Sequence, residues 1–179
     1  MLRVFSFLLP VLFICACSSR KENTGAVPKM GVNRSLAIYR KTVLSNIRYT
    51  LKLDIPAQQT EAIAAEEEIN FELSVLSQPL QLDFSADPAN IISLTINGKK
   101  TAPKLQQEHL ILPYELLQQG LNSVKVDFKA GDGALNRNAD YLYTLFVPDR
   151  ARSVFPCFDQ PDLKAIYTLT LVLPNNGKP

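Results

Sequence analysis

From Ile47 to Ile55 the chain alternates strictly, with Ile47, Tyr49, Leu51, Leu53 and Ile55 set against Arg48, Thr50, Lys52 and Asp54. A period of two puts one face on a core and the other in water, which predicts a half-buried strand. The pattern returns at Ile69, Phe71, Leu73 and Val75, and again at Leu80, Leu82 and Phe84. Ile92, Leu94 and Ile96 lead into Asn97-Gly98, a dipeptide that tolerates positive φ, so a tight hairpin with a return strand near 105–112 is predicted. Pro113 to Leu117 reads as one helical turn, with Pro at its start and Gly120 just past its end. Val124, Val126 and Phe128 predict another strand, 131–140 a polar turn-rich loop, and 141–147 and 165–173 the last two strands. Upstream, in 31–45, Leu36, Ala37, Tyr39 and Val43 with Arg34, Arg40 and Lys41 between them predict a short amphipathic helix. About eight strands, short turns and no alternating helices point to an all-β, antiparallel sandwich rather than a parallel α/β sheet.

Composition adds bounds to this picture. The chain has 179 residues, 46% hydrophobic and 20% charged, as in an ordinary folded module. Its 19 Lys and Arg nearly balance 17 Asp and Glu and form no basic stripe, so no nucleic acid is expected as a partner. Arg3 followed by the apolar run 4–14 reads as a secretory leader, too short to remain as a spanning helix. Its end, Ile14-Cys15-Ala16-Cys17-Ser18-Ser19, resembles a bacterial lipobox, in which a small residue precedes the Cys that is acylated. Ala16 suits that place and Ile14 does not, so Cys17 is the expected lipidation site. The organisation read from sequence is a lipoprotein signal peptide over 1–16, a flexible tether over 17–30 and the sandwich over 31–179. Lipid anchoring in the cell envelope, at the bacterial outer membrane, follows as an expectation.

Chemistry is sparse. With Cys15 in the leader and Cys17 acylated, Cys157 is left alone and no intramolecular disulfide can form. Cys157 and the single His109 lack metal-ligand spacing, and His109 is expected on an exposed strand position. Glu66, Glu67 and Glu68 are adjacent, so their side chains do not converge, and a solvated face is expected. Asp132-Gly133 with Asn136 and Asn138 departs from the EF-hand pattern and reads as a turn. No Ser, His and Asp triad can be assembled on one His without a nucleophile elbow.

One block is specific. Thr144-Leu-Phe-Val-Pro-Asp-Arg-Ala-Arg-Ser-Val-Phe-Pro-Cys-Phe-Asp-Gln-Pro161, followed by Lys164-Ala165 and a Tyr-Thr-Leu-Thr-Leu strand, resembles the end of the N-terminal domain of zinc aminopeptidases of the aminopeptidase N family. IRYTLKLDIP resembles that domain's opening strand, and the segments EHLILP and 134–152 resemble the family's bacterial lipoprotein branch, so the likeness covers roughly 31–174. It implies a saddle-shaped sandwich that packs on a thermolysin-like catalytic domain and caps one side of its cleft. In the family, zinc is held by an H-E-x-x-H helix and a later Glu, and a G-x-M-E-N strand binds the substrate amine. Neither motif occurs in these 179 residues. The chain therefore has no catalytic residue or cofactor of its own by this reading and is expected to be inactive alone. Zinc is expected only in a catalytic domain beyond it, which is also the expected partner, with peptide substrate in the full-length context.

The block also departs from the family. Where many members carry Gln and Glu in a T-Q-x-E segment lining the pocket for the substrate's first residue, this chain has Leu145 and Val147. Neither can accept a hydrogen bond from an ammonium group, so an apolar wall is expected. Pro156 and Pro161 fix φ on a crossover, Cys157 fills core, and Asp159 is expected to accept hydrogen bonds from backbone or from Arg152. The function read here is the non-catalytic N-terminal domain of a membrane-anchored zinc aminopeptidase. The alternative is a free-standing, lipid-anchored sandwich that binds peptides, glycans or another envelope protein.

Overall fold

The computed structural model describes residues 28–138 and 141–174. The expected leader and Cys17 lie outside them, as does most of the expected tether. Helix α1 (Arg34–Val43) starts where Asn33 accepts a hydrogen bond from the Leu36 N–H at 3.0 Å, and it runs into β1 (Leu44–Asp54) when Leu44 turns extended. The strands that follow are β2 (Ala64–Leu73), β3 (Leu80–Asp83), β4 (Ile91–Ile96), β5 (Lys99–Thr101), β6 (Leu105–Gln106), β7 (His109–Leu112), β8 (Gly120–Lys129), β9 (Leu135–Arg137), β10 (Leu142–Thr144) and β11 (Ile166–Val172). A six-stranded sheet in the order β11-β1-β2-β8-β4-β5 faces a three-stranded sheet, β3-β7-β6, while β9 and β10 form a hairpin. The architecture is an all-β sandwich. Every pair is antiparallel except β1 with β11, which is parallel.

The alternation does place the core. Tyr49, Leu51 and Leu53 of β1, Ile69, Phe71 and Leu73 of β2 and Val124, Val126 and Phe128 of β8 are buried on one face, and Phe84 meets Phe128 edge to face from β3's end. Two features shift the expected registers. A bulge between Ile91 and Ser93 puts Ile91 inside with Leu94 and Ile96 and turns Ile92 out to solvent. Asn97 and Gly98, both at positive φ, do turn a hairpin, but the return strand is the lysine-bearing β5. Residues 105–112 instead form the β6–β7 hairpin of the other sheet, turned by Gln107 and Glu108 at positive φ. The supposed loop 131–140 contains β9, and Gly131 presses so close to Ser153 that an added Cβ would lie 1.9 Å from its carbonyl oxygen.

Three polar residues contradict the sequence reading. His109 is fully buried rather than exposed, Glu67 is buried while Glu66 is exposed, and Arg40 lies inside with Val43 on the helical face that the half-buried Leu36 shares. Arg40 and His109 meet at Asp83. The Asp83 carboxylate accepts from Arg40 Nη1 and Nη2 at 2.7 Å each and from the Asp159 N–H at 2.9 Å, and His109 Nδ1 lies 2.8 Å from Oδ1. His109 Nε2 donates to the Lys29 carbonyl at 2.8 Å, and Arg40 Nη2 also donates to Gln81 O. The Asp83 backbone exchanges two hydrogen bonds with Cys157, at 2.7 and 3.0 Å, fastening β3 to the segment that crosses towards β11. Asp159, next but one, accepts from the Arg152 N–H at 3.0 Å and so closes the turn before that crossing.

Burial alone would push the Asp83 carboxyl up. The His109 and Arg40 hydrogen bonds, the Arg40 charge and the Asp159 N–H outweigh it and hold the group below the usual range. Its contribution is therefore present above the unfolded value, about 3.9, and is lost as pH falls through the folded one. Asp83→Ala leaves Arg40 buried without its carboxylate, which should cost about 3–5 kcal/mol in urea unfolding and weaken the acid limb of the stability profile. Asp159→Ala should cost about 1–3 kcal/mol, because the Arg152 N–H loses its acceptor. An unchanged thermal transition would remove Asp159 from the structural account.

Candidate functional site

The signature block begins on the surface and ends as core. After a 3₁₀ turn at Ala151–Ser153, Val154 to Phe158 are buried, Asp159 is half-buried, and Pro161 returns to solvent. The Phe158 N–H donates to the Tyr49 hydroxyl at 3.0 Å, while the Phe158 ring packs edge-on against Phe71 and beneath the Arg40 guanidinium. Pro156 is buried beside Cys157, whose thiol is free; burial, then the nearby carboxylates, push that thiol well above its ordinary range. A buried thiol of this kind is a packing group, not a nucleophile. Arg152 keeps its guanidinium near Glu108 and Asp149, 3.5 and 3.3 Å away. Arg152, Pro156, Cys157 and Asp159 are thus brought together around β3, with Pro161 outside them.

Leu145 and Val147 stand apart from this plug. They flank Phe146, which turns inward and packs edge-on against Phe155, so the two neighbours point outward, 47% and 70% exposed. The Leu145 N–H donates to Ala134 O, tying the segment to the β9–β10 hairpin. Tyr141, Leu142 and Tyr143 are exposed as well, and the two tyrosines stack. A second apolar tract lies on β11. In register with Tyr49, Leu51 and Leu53 of β1, the residues Tyr167, Leu169 and Leu171 belong to the core face, yet each remains about half exposed among the described residues. Tyr167 stacks on Tyr49 at 4.7 Å and meets Phe155 edge-on, so the cluster Phe146, Phe155, Tyr49 and Tyr167 underlies both tracts. Burial, followed by the nearby acidic groups, raises the Tyr167 hydroxyl.

Among the described residues no group of His, Cys, Asp and Glu is placed to hold a metal ion. Both His109 nitrogens and all the Asp83 lone pairs that face a neighbour are engaged within the core, so the residues present do not fit a zinc site. No helix of the described residues is long and apolar enough to cross a membrane. The sequence carries no local signal for Asp83, whereas Arg40 stands between Leu36 and Val43 at the i, i+4, i+7 spacing of the apolar face and Glu67 holds the inward phase of β2 between Ala65 and Ile69.

Comparison with known proteins agrees with the geometry. Residues 34–177 match the family model described as the Peptidase M1 N-terminal domain. Aminopeptidase N of Streptomyces lividans is 31% identical over 159 residues, covering 83% of this chain, and the chain spans 18% of that relative's length. An M1 zinc metallopeptidase from Deinococcus radiodurans shares the fold at a TM-score of 0.60 and 17% identity, over 72% of this chain and 32% of that one. Legionella pneumophila aminopeptidase A, solved with aspartic acid, does so at 0.61 and 18%, over 72% of this chain and 16% of that one. The family match takes in α1 and every strand of both sheets, and the chain belongs to the Peptidase M1 N-terminal domain family.

Proposed function

We propose that this chain is the non-catalytic N-terminal domain of a membrane-anchored zinc aminopeptidase, shaping one side of a substrate cleft whose zinc and catalytic groups lie in another domain. Family membership and the likeness to an aminopeptidase N support the reading. The observation that carries it is the pair of uncovered apolar tracts, Leu145 with Val147 and the core face of β11, set over one aromatic cluster. A folded domain buries such surface against a neighbour, and here the catalytic domain is the proposed one. Leu145 and Val147 would then form an apolar wall for the first residue of the peptide.

Anchoring is part of the same proposal. Acylation of Cys17, outside the described residues, would hold the protein on the cell envelope at the outer membrane, with 17–30 as tether. Cys17→Ser should abolish incorporation of labelled fatty acid and release the protein from the membrane fraction; unchanged labelling would refute acylation at this residue.

The isolated chain should be blank in a zinc-supplemented aminopeptidase assay, and robust turnover abolished by a chelator would overturn the non-catalytic assignment. Coding sequence following this chain in the same frame should contain H-E-x-x-H; an unrelated gene there would favour the free-standing binding module instead. In the complete enzyme, Leu145→Gln with Val147→Glu should reduce the kcat/KM preference for apolar over polar first residues about tenfold. An unaltered ratio would show that these side chains do not meet the substrate.

A further inference from the structure

Among the described residues, Glu67 is the one fully buried acidic side chain without a hydrogen-bond partner. It stands on the inward face of β2 between Ala65 and Ile69, and its cross-strand neighbours are Leu51 of β1 and Val126 of β8, all buried. The residue is 3% exposed, and neither carboxyl oxygen has a hydrogen-bond partner. Tyr49 of β1, Tyr167 of β11 and Cys157 of the crossing segment lie close enough to feel its charge: burial raises each of them, and Glu67 adds to the rise. None of the three is a cation. The Tyr49 hydroxyl already accepts the Phe158 N–H, and Tyr49 and Tyr167 hold β1 and β11 together by their stack.

The contrast with Asp83 shows what is missing. Both carboxyls are taken out of water, but Asp83 meets the Arg40 fork, His109 and a backbone N–H, while Glu67 meets apolar walls. Burial accordingly pushes the Glu67 carboxyl well above its usual range with nothing opposing the shift. An ionised carboxylate without a donor is not tolerated in such a place; it either takes up a proton or leaves.

We propose that Glu67 is a pH-sensitive latch on the β11 side of the sandwich: uncharged, it packs as part of the core, and once ionised it is expelled, loosening β1, β11 and the crossing segment around Cys157. The direction follows from linkage. With the folded carboxyl titrating above the unfolded one, stability is fully present below about pH 4.3 and declines as pH rises to the folded value. Within that window the folding constant falls about tenfold per pH unit on account of this one group. The loosened strand is the one that carries the uncovered Tyr167, Leu169 and Leu171, so the latch would act on the exposed apolar face itself.

The test compares the full chain with Glu67→Gln and Glu67→Leu from pH 5 to pH 9. Melting temperature and native-state amide exchange, corrected for intrinsic base catalysis, should show wild type losing ground to both variants as pH rises, with the excess exchange concentrated in β11 and 154–158. Parallel profiles across the range would overturn the proposal. If the variants fail to fold, the wild-type protein decides alone. The carboxyl carbon of Glu67, followed by NMR in glutamate-labelled protein, should titrate above the solvent-exposed glutamates and together with the Tyr167 resonances; titration in the ordinary carboxylate range would overturn it as well.

Discussion

A carboxylate withdrawn from water is tolerable only when donors surround it, and the Asp83 site is organised by that requirement. Its donors come from α1, from β7 and from the segment after Cys157, which are far apart in sequence. Satisfying one charge therefore fixes the helix against the small sheet, the small sheet against the crossing segment and, through the Lys29 carbonyl on His109, the point where the chain enters the domain. The Arg40 guanidinium on Phe158 and the Tyr49 hydroxyl on the Phe158 N–H extend the same knot into the large sheet. Truncating any member strands the others in a low-dielectric interior, so the geometry is held by mutual obligation more than by the strength of a single bond.

That knot explains why the signature block is so well packed. Phe155 to Phe158 are consumed in joining the layers, and the outward residues on either side of them, Leu145 and Val147 before and the β11 residues after, are what the domain presents. The rigid interior and the apolar exterior are two sides of one short stretch of chain.

Much of the fold was legible because the β1, β2, β3 and β8 residues alternate with the period that burial on one face demands. The misreadings cluster where burial depended on something other than hydrophobicity. Spacing and residue type place His109 on an exposed strand position and Arg40 among the polar residues of its helix, but each is admitted to the core by Asp83, a partner whose position no local pattern reveals. Glu67 fits the inward phase of β2, between Ala65 and Ile69, and its acidic neighbours masked that phase. The return strand after Asn97-Gly98 falls on β5 rather than on 105–112: β5 carries lysines in place of an apolar alternation, and the β6–β7 turn uses Gln107 and Glu108 at positive φ, where Gly or Asn is the usual signal.

Sequence by itself determined the all-β class, most strand positions, the poverty in cysteine and metal-ligating residues and, through the block ending at Pro161, the family resemblance. These are properties of local spacing and residue type, which a linear string records in full. Tertiary structure alone decided which strands pair, that β11 lies parallel to β1, which polar groups are buried, and which apolar residues remain uncovered. The physical reason is that the free energy of a buried charge, or of an apolar face, is set by what arrives opposite it. For Asp83 three distant segments arrive, and for Glu67 no donor does.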